Sequence, residues 1–352
     1  MSSADYEDSA GDAPEAVAQF DDPNRGFVGR IQHVLHVNPA FVPLIVLVVS
    51  IVVFGILVGS RFFSPFAMTL ILQQVQIVGI VAAAQSLVIL TAGIDLSVGA
   101  IMVLSSVVMG QFTFRYGLPV EVSIICGLAV GAACGAINGW LVAYMKLPPF
   151  IVTLGTWQIV LATNFLYSAN ETIRSQDIEA EAALLQVFGT KYQVGGATFT
   201  LGVIFMLALI FVLSYALKHT AWGRHVYAVG DDPEAAELSG VNVKKTLISV
   251  YLISGIICAF AGWAMVGRIG SISPTVGQLA NIESITAVVI GGISLFGGRG
   301  SILGSLFGAL IVGVFTLGLR LMGADAQWTF LLIGLLIIAA VAVDQWIRKV
   351  SA

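Results

Sequence analysis

Charge is what this sequence has least of. Only 10% of its 352 residues are Asp, Glu, Lys or Arg, against 58% hydrophobic, at a mean hydropathy of +0.96. Soluble domains carry roughly 25% charged residues, so the soluble globular class is excluded. The ~10-residue alternating segments of a membrane barrel are also missing. Long apolar runs remain, and in lipid these must satisfy their own backbone as helices. The expected fold is all-α, a polytopic helical membrane protein.

Other absences narrow the chemistry. There are three cysteines, Cys126, Cys134 and Cys258, all inside apolar runs and none in a CxxC pair, which leaves packing rather than a disulfide or metal site. None of the six lysines follows a glycine, so no GxxxxGK[ST] loop exists to cradle a nucleotide phosphate. HExxH and GxSxG are absent too. The four histidines, His33, His36, His219 and His225, fall outside the apolar runs. No catalytic residue, metal ligand or cofactor is expected. An intramembrane enzyme lacks a nucleophile and base within the spans.

A span needs about 20 mostly apolar residues. Ten stretches meet or approach this: 41–59, 68–91, 97–114, 122–145, 149–169, 197–217, 246–267, 284–298, 301–320 and 327–346. The eighth holds four glycines (Gly291, Gly292, Gly297, Gly298) and reads as a short, broken or re-entrant helix. Residues 1–38 form an acidic tail with seven acids in the first 22 positions, of a composition that resists folding. The remainder, 39–352, is the transmembrane domain. With the N-terminus inside, ten Lys and Arg fall on the cytoplasmic side and six outside, four of the ten within 218–245. That places both termini and the 218–245 loop in the cytoplasm and the 170–196 loop outside, its 175–188 portion a surface helix.

The inner loop reads VGDDPEAAELSGVNV over 229–243. Asp231 and Asp232 suit an N-cap, Pro233 the first helical position, Glu234 and Glu237 the positive end of the dipole, and Gly240 the stop. This predicts a two-turn helix, too short to be stable unaided. Ala235, Ala236 and Leu238 give it an apolar contact surface. Glu234-Ala235-Ala236, three residues, then Gly240 matches the EAA-xxx-G signature of ABC importer permeases. Together with LTAGIDLSVGA (90–100) and AVVIGGISLFGGRGSILGSLFGALIVG (287–313), it resembles the permeases for monosaccharides of the ribose, xylose, arabinose and fructose type, from about residue 40 to the end. Within that group the wording is most like the fructose importers.

The resemblance implies a multi-pass protein of the bacterial inner membrane, working as a homodimer. It implies an ATP-binding subunit docked on 233–240 and a periplasmic sugar-binding protein that delivers a monosaccharide such as fructose or ribose. Asp232, Glu234, Ala235, Ala236, Leu238 and Gly240 would then couple to the ATPase. Nothing in the chain points to nucleic acid.

AGIDLSVG (92–99) and GSISPTVG (270–277) match at an offset of 178, with Ile94 on Ile272, Asp95 on Ser273 and Gly99 on Gly277. Each follows a long span and precedes a Gly-containing one. Lying on opposite sides, they predict two inverted halves, spans two to five and seven to ten, with a substrate pathway between them. Gln73, Gln76, Gln85, Asn138, Thr153, Trp157 and Asn164 are the polar and aromatic candidates to line it, since polar groups in spans usually face the bundle interior. Bonds between helices explain each one singly. Asp95 stands alone, with 33 uncharged residues before it and 19 after. With Ser97 and Ser273 it reads as a helix cap beside a gate. An ion-coupled secondary transporter is the alternative, but it would want ionisable groups at mid-membrane, whereas Asp95, Glu121, Glu283 and Asp344 sit at span ends.

Overall fold

The computed structural model describes residues 40–277 and 279–351. The acidic tail, with His33 and His36, lies outside the described residues. The expected spans appear as α1 (Phe41–Val58), α2 (Pro65–Leu90), α3 (Val98–Phe114), α4 (Val120–Ala143) and α5 (Pro149–Ser168). The 170–196 loop follows, with α6 (Ser175–Glu181), a 3₁₀ turn (Ala183–Gly189), and the hairpin β1 (Lys191–Val194) and β2 (Ala197–Thr200). Then come α7 (Leu201–His219), α8 (Ala221–Asp231), α9 (Pro233–Leu238), α10 (Val243–Ile269), α11 (Ala280–Ile290), α12 (Ile302–Leu321) and α13 (Ala326–Ser351).

The helical membrane class holds, and three details differ from expectation. The hairpin takes the first residues of the sixth span, because TFT (198–200) is rich in β-branched residues and follows a Gly-Gly turn. The 175–188 surface helix is two pieces, broken at Ala182. The eighth span is helical only over Ala280–Ile290, 11 residues, a rise of about 16 Å that reaches half way across a bilayer. Among the described residues seven helices are long and apolar enough to cross a membrane, and Val98–Phe114, Ala280–Ile290 and Gln327–Ala342 are shorter apolar ones.

Sequence dictates the layering. Ser64 caps α2 through the Ala67 N–H, with Pro65 at the first helical position. From Val75 to Leu90 every residue of α2 is buried, the mark of a helix apolar on all sides at the centre of a bundle. By contrast α1 exposes Ile45, Val49, Val52 and Ile56 on its outer face, where lipid is the only suitable neighbour. Small residues set close crossings. A Cβ at Gly135 of α4 would overlap the carbonyl of Tyr251 in α10, so the two backbones touch.

Shifting Pro65–Leu90 by 178 gives 243–268, almost the bounds of α10. The shift carries α4 towards α12 and α5 towards α13 as well. Packing is exchanged between the halves: α2 lies on α11 and α12, while α10 lies on α3 and α4. Gln76 of α2 donates to the Ala264 carbonyl, Gln74 accepts from Arg268, and Gly93 sits beside Tyr251. The matched helices α2 and α10 therefore run antiparallel, as an inverted repeat requires.

Candidate functional site

The break between α2 and α3 is where the polar side chains gather. After Leu90 the chain turns through Ala92 in the left-handed region at φ 59°. Four elements then hold residues 94–97. Thr153 Oγ1 of α5 donates to the Ile94 carbonyl at 2.9 Å, and Asn281 Nδ2 of α11 donates to the Leu96 carbonyl at 3.3 Å. Asn138 Nδ2 of α4 donates to Ser97 Oγ at 2.9 Å. With its amide oriented to satisfy both atoms, Gln85 of α2 donates to the Asp95 carbonyl at 3.0 Å and accepts from its N–H at 3.2 Å. Asp95 is 1% exposed, and its Oδ1 accepts from the Ser97 N–H at 2.7 Å and the Ser97 hydroxyl at 2.6 Å.

This corrects the capping assignment. Ser97, not Asp95, occupies the N-cap of α3, and its hydroxyl turns back to the carboxylate instead of bonding a helix N–H. Ser273 is no cap either, for Leu279 precedes α11. What the two segments share is a side-chain pair two residues apart: Asp95 with Ser97, and Ser273 Oγ with Thr275 Oγ1 at 3.0 Å. They also meet, since a Cβ at Gly99 would lie 3.1 Å from the Asn281 N and 3.5 Å from the Gly277 carbonyl.

The expected pathway residues divide. Gln85, Asn138 and Thr153 all belong to the 94–97 junction. Asn164 is one turn further on, donating to the Ala100 carbonyl at 3.3 Å. Gln76 is remote from them, fully buried and bonded to Thr200 and Ala264. Gln73 lines a cavity of about 70 Å³ with Gln74, Arg268, Thr316 and Arg320. Trp157 is half-buried against the core. These seven do not share one wall, and five of them spend polar atoms on the fold. Sequence reasoning missed Asn281. Asn281 carried a signal, as an isolated amide at the head of a short apolar helix. The Oδ1 atoms of Asn138, Asn164 and Asn281 are buried without a hydrogen-bond partner, each at a cost on the order of 1–3 kcal/mol.

The 221–243 loop stands beside this junction. Thr220 caps α8 through the Gly223 N–H, and Gly223, Val226, Val229 and Gly230 form its buried face. Asp232 Oδ1 accepts from the N–H groups of Glu234 at 2.9 Å and Ala235 at 3.1 Å, and so caps α9 as expected. At the other end Gly240 adopts φ +84°, Val241 N–H bonds the Ala236 carbonyl, and Gly240 N–H bonds that of Glu237. This paired closure is a Schellman stop. Asn242 then caps α10 through the Lys245 N–H. Ala236 faces inward at 4% exposure, while Leu238 stands 90% exposed. Glu234, Ala235 and Glu237 are exposed around it. The result is a rigid two-turn projection with an apolar tip and an acidic rim.

A bundle of apolar helices with interrupted spans, a buried polar junction and a fixed projecting loop defines a multi-pass membrane transport protein. Residues 67–341 match the family described as branched-chain amino acid transport system / permease component, and the chain belongs to that family. It is 71% identical to the fructose import permease protein FrcC of Rhizobium meliloti, over 99% of this chain and 97% of that one. It is 37% identical to the ribose import permease protein RbsC of Escherichia coli K12, over 86% of this chain and 92% of the relative. With the xylose transport system permease protein XylH of Haemophilus influenzae it shares 32% identity, over 88% and 96% of the two chains. No solved structure matches the chain.

Proposed function

We propose that this chain is the membrane subunit of an ATP-driven importer of monosaccharides, and that its sugar is fructose. The observation that carries the ATP-driven part is the 233–240 projection. A helix of six residues is unstable alone, yet here both ends are fixed and its large apolar side chain is left uncovered. Such a surface suits a partner subunit, and the chain has no phosphate-cradling loop of its own. Family membership makes it a transport subunit rather than an enzyme. Its partners are then a separate ATPase on Glu234, Ala235, Leu238 and Gly240, a sugar-binding protein on the opposite face, and a second copy of the chain. The permease is seated in the inner membrane with both termini in the cytoplasm. The buried Asp95 junction acts as a fixed point of the inner gate. The choice of fructose is supported by the 71% identity with a fructose import permease.

The test is reconstitution with candidate ATPase and sugar-binding subunits from the same organism. Hydrolysis should rise when fructose-loaded binding protein is added, and Glu234→Lys or Gly240→Val should abolish that rise. Uptake unaffected by both substitutions would remove the coupling assignment. Uptake that collapses with an ionophore and ignores ATP would favour the ion-coupled alternative. Ribose outcompeting fructose would change the sugar.

A further inference from the structure

The glycines of GGISLFGGRGSILG (291–304) lie against backbone from other parts of the chain. Gly230, at the end of α8, sits on the last carbonyl of α2: a Cβ there would overlap Leu90 O and lie 2.7 Å from the Gly298 N. That same Leu90 carbonyl accepts from the Gly298 N–H at 3.0 Å. A Cβ at Gly297 would come within 2.5 Å of the Gly230 carbonyl and 2.8 Å of Ala92. Tyr227, one turn back on α8, donates its hydroxyl to the Gly300 carbonyl at 2.9 Å. Burial pushes the Tyr227 phenol above its ordinary value, so it remains a donor throughout the physiological range.

Three chain segments thus meet backbone to backbone at one point. The first is the end of α2, five residues before Asp95. The second is the 291–300 turn, which leads from α11 into α12. The third is α8, which continues into α9 after a single residue, Asp232. The first two belong to different halves of the repeat. We propose that Gly230 is the joint through which a displacement of the 233–240 projection reaches both halves together, with Tyr227 holding α8 in register on the second half. Backbone contact is what suits it to the task. Side chains absorb small shifts by changing rotamer, whereas a carbonyl wedged between two glycines passes a shift on. The glycine triplet is then a positioning device, and it rests on the importer reading given above.

The test uses the complete importer in lipid, with ATPase, binding protein and fructose. It compares hydrolysis with and without loaded binding protein, and measures uptake alongside. Gly230→Ala is expected to reduce the stimulation ratio at least tenfold and uptake in parallel, in particles where the ATPase subunit still co-purifies. Tyr227→Phe, which removes one hydroxyl and leaves the packing, should lower the ratio about two- to fivefold. Assembled Gly230→Ala particles with the wild-type ratio overturn the joint. If the alanine chain does not assemble, Tyr227→Phe decides, and an unchanged ratio overturns the proposal. A wild-type complex with no stimulation at all would instead refute the importer reading beneath it.

Discussion

Two junctions of like sequence, 92–99 and 270–277, are held in unlike ways. Both turn through a left-handed residue at the same place, Ala92 at φ 59° and Gly270 at φ 84°. Both pair side chains two residues apart. The first, however, is tied by Gln85, Asn138, Thr153 and Asn281 from four membrane helices. The second is tied by the 170–196 loop. Ile272 and Ile173 exchange backbone bonds of 2.9 and 3.1 Å, Thr172 donates to Ser273 at 3.1 Å, and Gln186 donates to the Gly270 carbonyl at 2.8 Å. Their turns, at Ala92 and Gly270, lie at opposite ends of the antiparallel α2–α10 pair, and the two segments meet at Gly99 and Gly277. The first junction therefore shifts only when helices shift. The second can be released by a loop. That difference suits the importer proposed above, in which the two ends of the pathway answer to different partners.

The largest break should come from Asp95→Leu. Leucine removes the acceptor for both the Ser97 N–H and the Ser97 hydroxyl, inside a site that no water-exposed surface can relieve. Each buried donor left unpaired costs about 1–3 kcal/mol. Loss of the folded, monodisperse protein on size exclusion after detergent extraction is the expected result. A well-assembled Asp95→Leu chain would show that the carboxylate is dispensable to this junction.

Next in size is Ile173→Pro, aimed at the other junction. It deletes the N–H that bonds the Ile272 carbonyl and restrains residue 172. Hydrogen exchange at Ile272 and protease cleavage within 170–196 should both rise several-fold, with the extracted protein still folded and exchange near Asp95 unchanged. Equal loosening at both ends would mean that the junctions are one cooperative unit.

Much of this contrast was legible in the sequence. The offset of 178, the isolated Asp95, the acid-capped loop and nearly every span boundary follow from composition and spacing. Asp232 and Gly240 act as their types dictate, because helix caps are local. What stayed hidden was where the amides point. Gln76 and Gln85 are nine residues apart on one apolar helix, and nothing local tells that one reaches Thr200 and the other Asp95. Those partners are set by which helices cross, and crossing is decided by small residues such as Gly135, distant in sequence. The shift of the N-cap from Asp95 to Ser97 is of the same kind. Asn138 draws the Ser97 hydroxyl, and the carboxylate completes the pair.

A smaller effect is expected of Ser273→Ala. It removes a hydroxyl that bonds Thr172 and Thr275, at a site 9% exposed. Lost bonds of this type cost about 1 kcal/mol. A fall of a few degrees in the apparent melting temperature would match, with uptake within twofold of wild type. A larger loss of uptake than of stability would give the second junction a direct part in transport.

Asp95→Asn should be the gentlest change, and it separates geometry from charge. The work visible at Asp95 is done by one oxygen, Oδ1, which accepts two bonds from Ser97. An asparagine oxygen in that place accepts both as well, and the shape is conserved. The amide brings two donors of its own, and the Asn138 Oδ1 close by is a buried acceptor without a partner. If the junction needs only its hydrogen bonds, uptake and melting temperature should stay near wild type, uptake within about twofold. If Asp95→Asn inserts normally yet stops uptake, the negative charge itself is at work, and the first junction differs from its uncharged counterpart at Ser273 in chemistry as well as in anchorage.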